Sequence, residues 1–183
     1  MLRKIAVLGV AAALAAGAQS ASATDFSYNY LEGAFVSGDD FDGFGVNGAV
    51  EFTGEFFGHA GIDALEADNG VDLSLLSVGA GYSHGINEAL DLLATASLKR
   101  IKVDGGGSDN GFGLGVGVRG RVLEKLELTA GIEYVDFDNS DTTLQVGGRW
   151  YFTPNFAAGI DLTDNDFGST LRFVARYDFG NRM

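Results

Sequence analysis

Ten stretches of this chain alternate apolar residues with polar residues or glycine, and a period of two dictates β-strands. The most constraining is GFGLGVGVRGRV, residues 111–122. Phe112, Leu114, Val116, Val118 and Val122 share one parity, broken only by Gly120; Gly111, Gly113, Gly115, Gly117, Arg119 and Arg121 occupy the other. Glycine inside a strand packs nothing and loses the most backbone entropy. Branched aliphatics on one face with glycine and arginine on the other suit a wall between hydrocarbon and a narrow wet interior.

The ten segments fall at roughly 25–37, 43–53, 55–66, 72–83, 89–103, 110–122, 126–136, 141–152, 155–163 and 168–180. Four connections are tight: Thr53-Gly54-Glu55, Gly85-Ile86-Asn87-Glu88, Leu123-Glu124-Lys125 and Thr153-Pro154-Asn155. Five are expected to be longer and acidic, at 37–43, 66–72, 103–110, 136–141 and 163–168. Hairpins of this kind repeat as an up-and-down antiparallel array. An even number of strands puts both termini at the tight-turn end, as a transmembrane barrel requires. The fold expected is all-β: a closed antiparallel up-and-down transmembrane β-barrel of about ten strands, with eight the alternative count.

Aromatic residues supply an independent argument. They gather at segment ends, and only Phe173 sits mid-strand. A soluble β-sandwich places its aromatics centrally between its sheets, whereas two membrane interfaces select them at strand ends. Phe52, Phe56, Tyr82, Trp150, Phe152, Phe156, Tyr177 and Phe179 are expected to form an outward girdle on the tight-turn, periplasmic side. Phe26, Tyr28 and Tyr30 fall at the same end; in the first strand Leu31 and Phe35 are expected to point outward.

The N-terminus, MLRKIAVLGVAAALAAGAQSASATDF, has a basic start, an apolar run and a small-x-small site at Ala21-Ser22-Ala23. Residues 1–23 are therefore expected to be a cleaved secretory signal peptide, with the barrel over 24–183. Loss of Arg3 and Lys4 takes the net charge from −13 to −15. Such acidity excludes a nucleic-acid partner, which needs a basic footprint. The chain has no cysteine, which excludes disulfides, thiolate metal sites and thiol catalysis.

Inward parity collects Glu32, Glu51, Asp63, Glu127, Glu133 and Asp161 with Lys99, Arg119, Arg121, Arg149, Arg172 and Arg176. Opposite charges confined in a narrow lumen must pair, because unpaired charge away from bulk water is costly. Barrels of about eight strands are filled by their own side chains, and wide pores appear near sixteen. The expected interior is thus a salt-bridged lumen, either structural or passing only small solutes. No cofactor and no metal are expected. The acidic connections leave a second reading, a surface adhesin whose carboxylates bind divalent cations or bridge them to lipid phosphates. Asp136-Phe137-Asp138-Asn139-Ser140-Asp141 begins like a calcium loop but lacks its glycine and later glutamate. An outer-membrane hydrolase is the remaining class. It needs a histidine beside an acid or serine, and His59 and His84 both lie near tight-turn ends.

The chain resembles the small outer-membrane β-barrel proteins of Gram-negative bacteria, among them small acidic porin-like barrels. The resemblance rests on the opening Ser27-Tyr28-Asn29-Tyr30-Leu31-Glu32-Gly33 and on the turn Tyr151-Phe152-Thr153-Pro154-Asn155-Phe156. Tyr177 and Phe179 fit the terminal assembly signal of such proteins; Val174 stands where they carry glycine, and Gly180–Met183 run past the last aromatic. The resemblance implies export to the cell outer membrane, insertion by the barrel-assembly machinery, contact with membrane lipid and lipopolysaccharide, and a monomer.

Overall fold

The computed structural model describes residues 26–166 and 168–179. The expected signal peptide, Phe167 and the tail Gly180–Met183 lie outside them. Ten strands follow in order: β1 (Tyr30–Gly38), β2 (Phe41–Thr53), β3 (Phe56–Ala67), β4 (Asp72–Asn87), β5 (Leu90–Val103), β6 (Ser108–Leu123), β7 (Leu126–Asp136), β8 (Ser140–Tyr151), β9 (Phe156–Asn165) and β10 (Gly168–Asp178). Each pairs antiparallel with its sequence neighbours, and β10 closes on β1 from Tyr30↔Asp178 to Gly38↔Thr170. Closure pairs every strand edge, which a sheet surrounded by hydrocarbon needs.

The two faces are those the alternation dictates. Outward side chains are large and apolar: on β6, Phe112, Leu114 and Val116 are exposed, while Gly113, Arg119 and Arg121 on the other parity are buried. Leu31 and Phe35 of β1 also face outward. The buried interior is largely polar, with Glu32, Glu127, Asp161 and Asp178 next to Arg119, Arg149 and Arg176. Two small apolar clusters complete it. Phe26, Tyr28, Ala49 and Phe57 pack at the tight-turn end, and Ala34, Val36 and Val174 pack higher up. Val174 fills the core beside Val36.

Three expectations about segment ends change. The five acidic connections are not long: β1 and β2 are separated by Asp39-Asp40 alone, and the strands run through most of the acidic stretches. Alternation continues there, so the carboxylates ride on strand ends instead of forming loops. The ends of the barrel consequently differ in charge more than in loop length. Gly70 (φ 77°) and Gly105 (φ 74°) supply the left-handed backbone for two of these reversals. At the opposite end, β4 continues through Gly85-Ile86-Asn87, so the turn is Glu88-Ala89, with a register shift between Gly85 and Asn87. Finally, the first strand begins at Tyr30, not near residue 25. Residues 26–29 leave the wall and turn into the barrel mouth, burying Phe26, Ser27 and Tyr28.

Candidate functional site

The interior is built on pairs of unlike size across neighbouring strands. Asp161 lies opposite Gly147 and Arg149 opposite Gly159. Asp63 lies opposite Gly45, and Phe57 opposite Gly81. A Cβ on Gly147 would overlap Asp161 Oδ1, one on Gly45 would overlap Asp63 Oδ1, and one on Gly81 would run into the Phe57 ring. Long side chains cross a lumen this narrow by lying flat on bare backbone. That is why glycine accompanies arginine on the inner face.

Seated in this way, three carboxylates and three guanidiniums form one connected chain. Arg149 donates from Nη1 and Nη2 to the two Asp161 oxygens at 2.7 Å each. The same guanidinium donates from Nε and Nη2 to Glu32 at 2.8 and 3.1 Å. Glu32 also accepts from Arg176 Nε at 3.0 Å, and Arg176 Nη1 reaches Glu127 at 3.4 Å. Glu127 then accepts from Arg119 Nη2 at 2.9 Å, with Arg119 Nε 2.8 Å from its other oxygen. Tyr151 donates to Glu127 at 3.5 Å. The chain braces the wall from β6 round to β1. Its charges balance, and each charged group meets at least one opposite charge, the condition under which ions persist away from water.

At the tight-turn mouth the inturned segment caps this chain. Arg119 Nη1 donates to the Ser27 carbonyl at 3.0 Å, and its guanidinium lies 4.9 and 5.0 Å from the ring centres of Phe26 and Tyr28. Tyr28 stacks on Phe57 at 4.6 Å and donates to Asp91 Oδ2 at 2.6 Å. Burial pushes the Tyr28 phenol well above the usual tyrosine range, the Asp91 bond acting in the same direction. Arg176 lies over Tyr30 at 4.1 Å. Phe26, Tyr28 and Tyr30 are thus interior groups, not part of an interfacial belt.

The remaining inward charges sit apart from that chain. Arg172 holds Asp63 with bonds of 3.0 and 2.9 Å, and Lys99 holds Glu133 at 2.8 Å, both pairs half-buried towards the acidic end. Arg121 lies 5.3 Å from the Phe26 ring centre. Glu51 makes no ion pair among the described residues; its N–H donates to Asn29 Oδ1 at 2.9 Å. Tyr28, Asp91, Tyr151 and Asp178 are interior groups that sequence reasoning missed. Asp91 shares parity with Thr95 and Lys99, a readable signal; Tyr28 precedes the strand, so parity says little about it.

Outside, Phe52, Phe56, Trp150, Phe152, Phe156, Tyr177 and Phe179 are exposed at the tight-turn end. Tyr82 packs beside Phe56 there, ring centres 5.0 Å apart. Neither histidine joins an acid–serine arrangement. His59 faces the lumen with Nε2 buried and no hydrogen-bond partner among the described residues, and His84 lies exposed 3.9 Å from Glu55. Among the described residues no three acidic or histidine side chains converge on a metal-sized site, residues 136–141 included.

Comparison with known proteins agrees with this architecture. The family model described as "Outer membrane protein beta-barrel domain" matches residues 6–182. Among solved structures, the chain is similar to a KdgM porin in complex with disordered oligogalacturonate, at 11% identity and a TM-score of 0.52, covering 82% of this chain and 99% of that one. A second KdgM porin structure gives 10% identity and 0.51 over the same shares. At such identities the likeness is one of fold. No curated protein sequence matches the chain significantly. Ten strands closed on themselves, apolar outside and charged within, matched almost end to end by that family, make this chain a member of the outer-membrane β-barrel proteins, integral to the outer membrane.

Proposed function

We propose that the protein is a closed-lumen barrel whose interior charges brace the wall, and that at rest it passes nothing larger than small ions. The buried chain from Asp161 through Arg149, Glu32, Arg176 and Glu127 to Arg119 carries this reading, because the exposures of Glu32, Glu127 and Arg119 are 2%, 0% and 3%. Water does not reach these atoms, which is what a lumen filled by its own side chains requires. The Phe26–Tyr28 segment closes the same end a second time. Recordings from purified protein in planar bilayers test it: only brief, small conductance is expected, and a large stable conductance overturns it.

A small-solute channel is the second reading, favoured by the wetter half of the lumen. The Arg172–Asp63 pair is partly exposed and Gln145 is exposed on the inner face. On this reading the inturned segment would have to leave. Deleting the Phe26 and Tyr28 side chains separates the two: a step to large conductance favours the channel, and unchanged currents favour the brace. Neither reading involves catalysis. An adhesin is poorly served by connections of two to four residues, which offer far less than the area of a stable protein interface. Insertion by the barrel-assembly machinery and a monomeric state belong to the same proposal. Electrophoresis of boiled and unboiled samples gives the oligomeric state directly.

A further inference from the structure

We propose that Arg100 and Lys102 form a site on the outer wall for the phosphate of a lipopolysaccharide headgroup. The inference rests on the protein's place in the outer membrane and is independent of whether the lumen conducts.

Among the described residues, every other strand-borne lysine or arginine points into the barrel, and Lys125 lies in a turn. Arg100 and Lys102 alone point out, two residues apart on β5 and both exposed. Inward Lys99, Arg119, Arg149, Arg172 and Arg176 have carboxylate partners, whereas Arg100 donates only to Ser108 Oγ at 3.2 Å and Lys102 has no partner among the described residues. Lys102 shares a cleft with Asp42, Glu66, Asp68, Asp72 and Asp104 but pairs with none of them, and Arg100 has no carboxylate partner, so both cations stay available to an anion from outside the chain.

Their height decides which anion. Directly below on β5 stands Leu98, 68% exposed and paired with outward Phe112; Leu76, also exposed, is the cross-strand partner of Arg100. The cations thus sit at the upper edge of the apolar belt, where headgroups meet acyl chains. Their remaining cross-strand partners are Ser74, Ser108 and Asn110, neutral groups able to hydrogen-bond a phosphate oxygen. Both described chain ends lie at the opposite, tight-turn mouth, the periplasmic side of such barrels. The basic pair therefore belongs to the outer leaflet, whose lipid is the phosphorylated glycolipid. Asp72 and Asp104 stand nearer the rim, so a cation bridge between carboxylate and phosphate is the competing arrangement to remove experimentally.

The test uses the full chain, purified in detergent and incubated in a chelator with lipid A that either keeps or has lost its phosphates. Native mass spectrometry reads lipid retention, and heat-modifiable mobility shows that each variant is folded. Retention of phosphorylated over dephosphorylated lipid A by about thirtyfold is expected for two headgroup-level cations, and R100Q/K102Q should abolish the difference. The charge-keeping R100K/K102R should restore most of it. Equal retention of both lipids, undiminished preference in R100Q/K102Q, or its loss in R100K/K102R overturns the proposal.

Discussion

Arg149 and Asp161 hold each other through two bonds of 2.7 Å, and each lies over a glycine on the other's strand, Arg149 over Gly159 and Asp161 over Gly147. The seat is as necessary as the pair. Gly147→Ala puts a Cβ into Asp161 Oδ1, so the carboxylate must rise and loosen its grip on Arg149. We expect a loss of about 1–3 kcal/mol, the usual cost of overpacking a tight interior. Gly33→Ala is the control: it faces outward with nothing within 4 Å of the added methyl, and should be near neutral. Urea midpoints of the detergent-folded protein, followed by unboiled gel mobility, compare the two. Equal midpoints would remove the seating argument.

Glu32 is the branch point of the charge chain, since Arg149 and Arg176 both donate to it. Glu32→Gln leaves Arg149 relying on Asp161 and Arg176 on its 3.4 Å contact with Glu127. Breaking a buried ion pair from one side costs ~3–5 kcal/mol. Glu51→Gln, on the same face but without an ion pair among the described residues, should cost no more than about 0.5 kcal/mol, as for ordinary surface changes. The same urea titration measures both variants, and a Glu32→Gln midpoint matching that of Glu51→Gln would show that the chain does not brace the wall.

The barrel was legible because its determinants are local. Parity along β6 separates Leu114 from Gly113 whatever the partner strand does, and the same holds for Leu31 and Glu32 on β1. Which charges meet was not legible, because that depends on register. Nothing local says that Arg172 reaches Asp63, 109 positions away, or that Gly45 will be the seat beneath them. The segment at 26–29 escaped for a different reason. Alternation describes a wall, and Tyr28 leaves the wall to satisfy Asp91 and stack on Phe57. The acidic connections misled because Asp and Gly suggest loops, while paired strands can carry Asp42 and Glu66 face to face at a wet rim.

Lipid contact can be probed by a single charge on each face. Val116 lies midway along β6, 61% exposed on the apolar side. Lysine there must enter hydrocarbon, costing ~2–4 kcal/mol near the membrane midplane. Gln145→Lys adds the same charge on the inner face, where Gln145 is already exposed, and should shift stability little. Folding yield into lipid vesicles, scored by gel mobility, should fall for Val116→Lys and hold for Gln145→Lys. The reverse order would mean that the faces are assigned the wrong way round.

Tyr28 gives the capped mouth a pH signature. Burial raises its pKa above the value near 10 that an unfolded tyrosine keeps. The neutral phenol is therefore favoured by the folded state. Its stabilisation is complete below the unfolded pKa and is lost as pH rises towards the folded one, because the unfolded chain releases the proton first. Wild-type protein should lose urea resistance steadily above about pH 10. Tyr28→Phe has no proton to release and should show a shallower decline. It should also start about 0.5–1.5 kcal/mol lower at neutral pH, where it lacks the 2.6 Å bond to Asp91. Parallel alkaline declines in the two proteins would mean that the phenol is open to water and that the mouth is not capped.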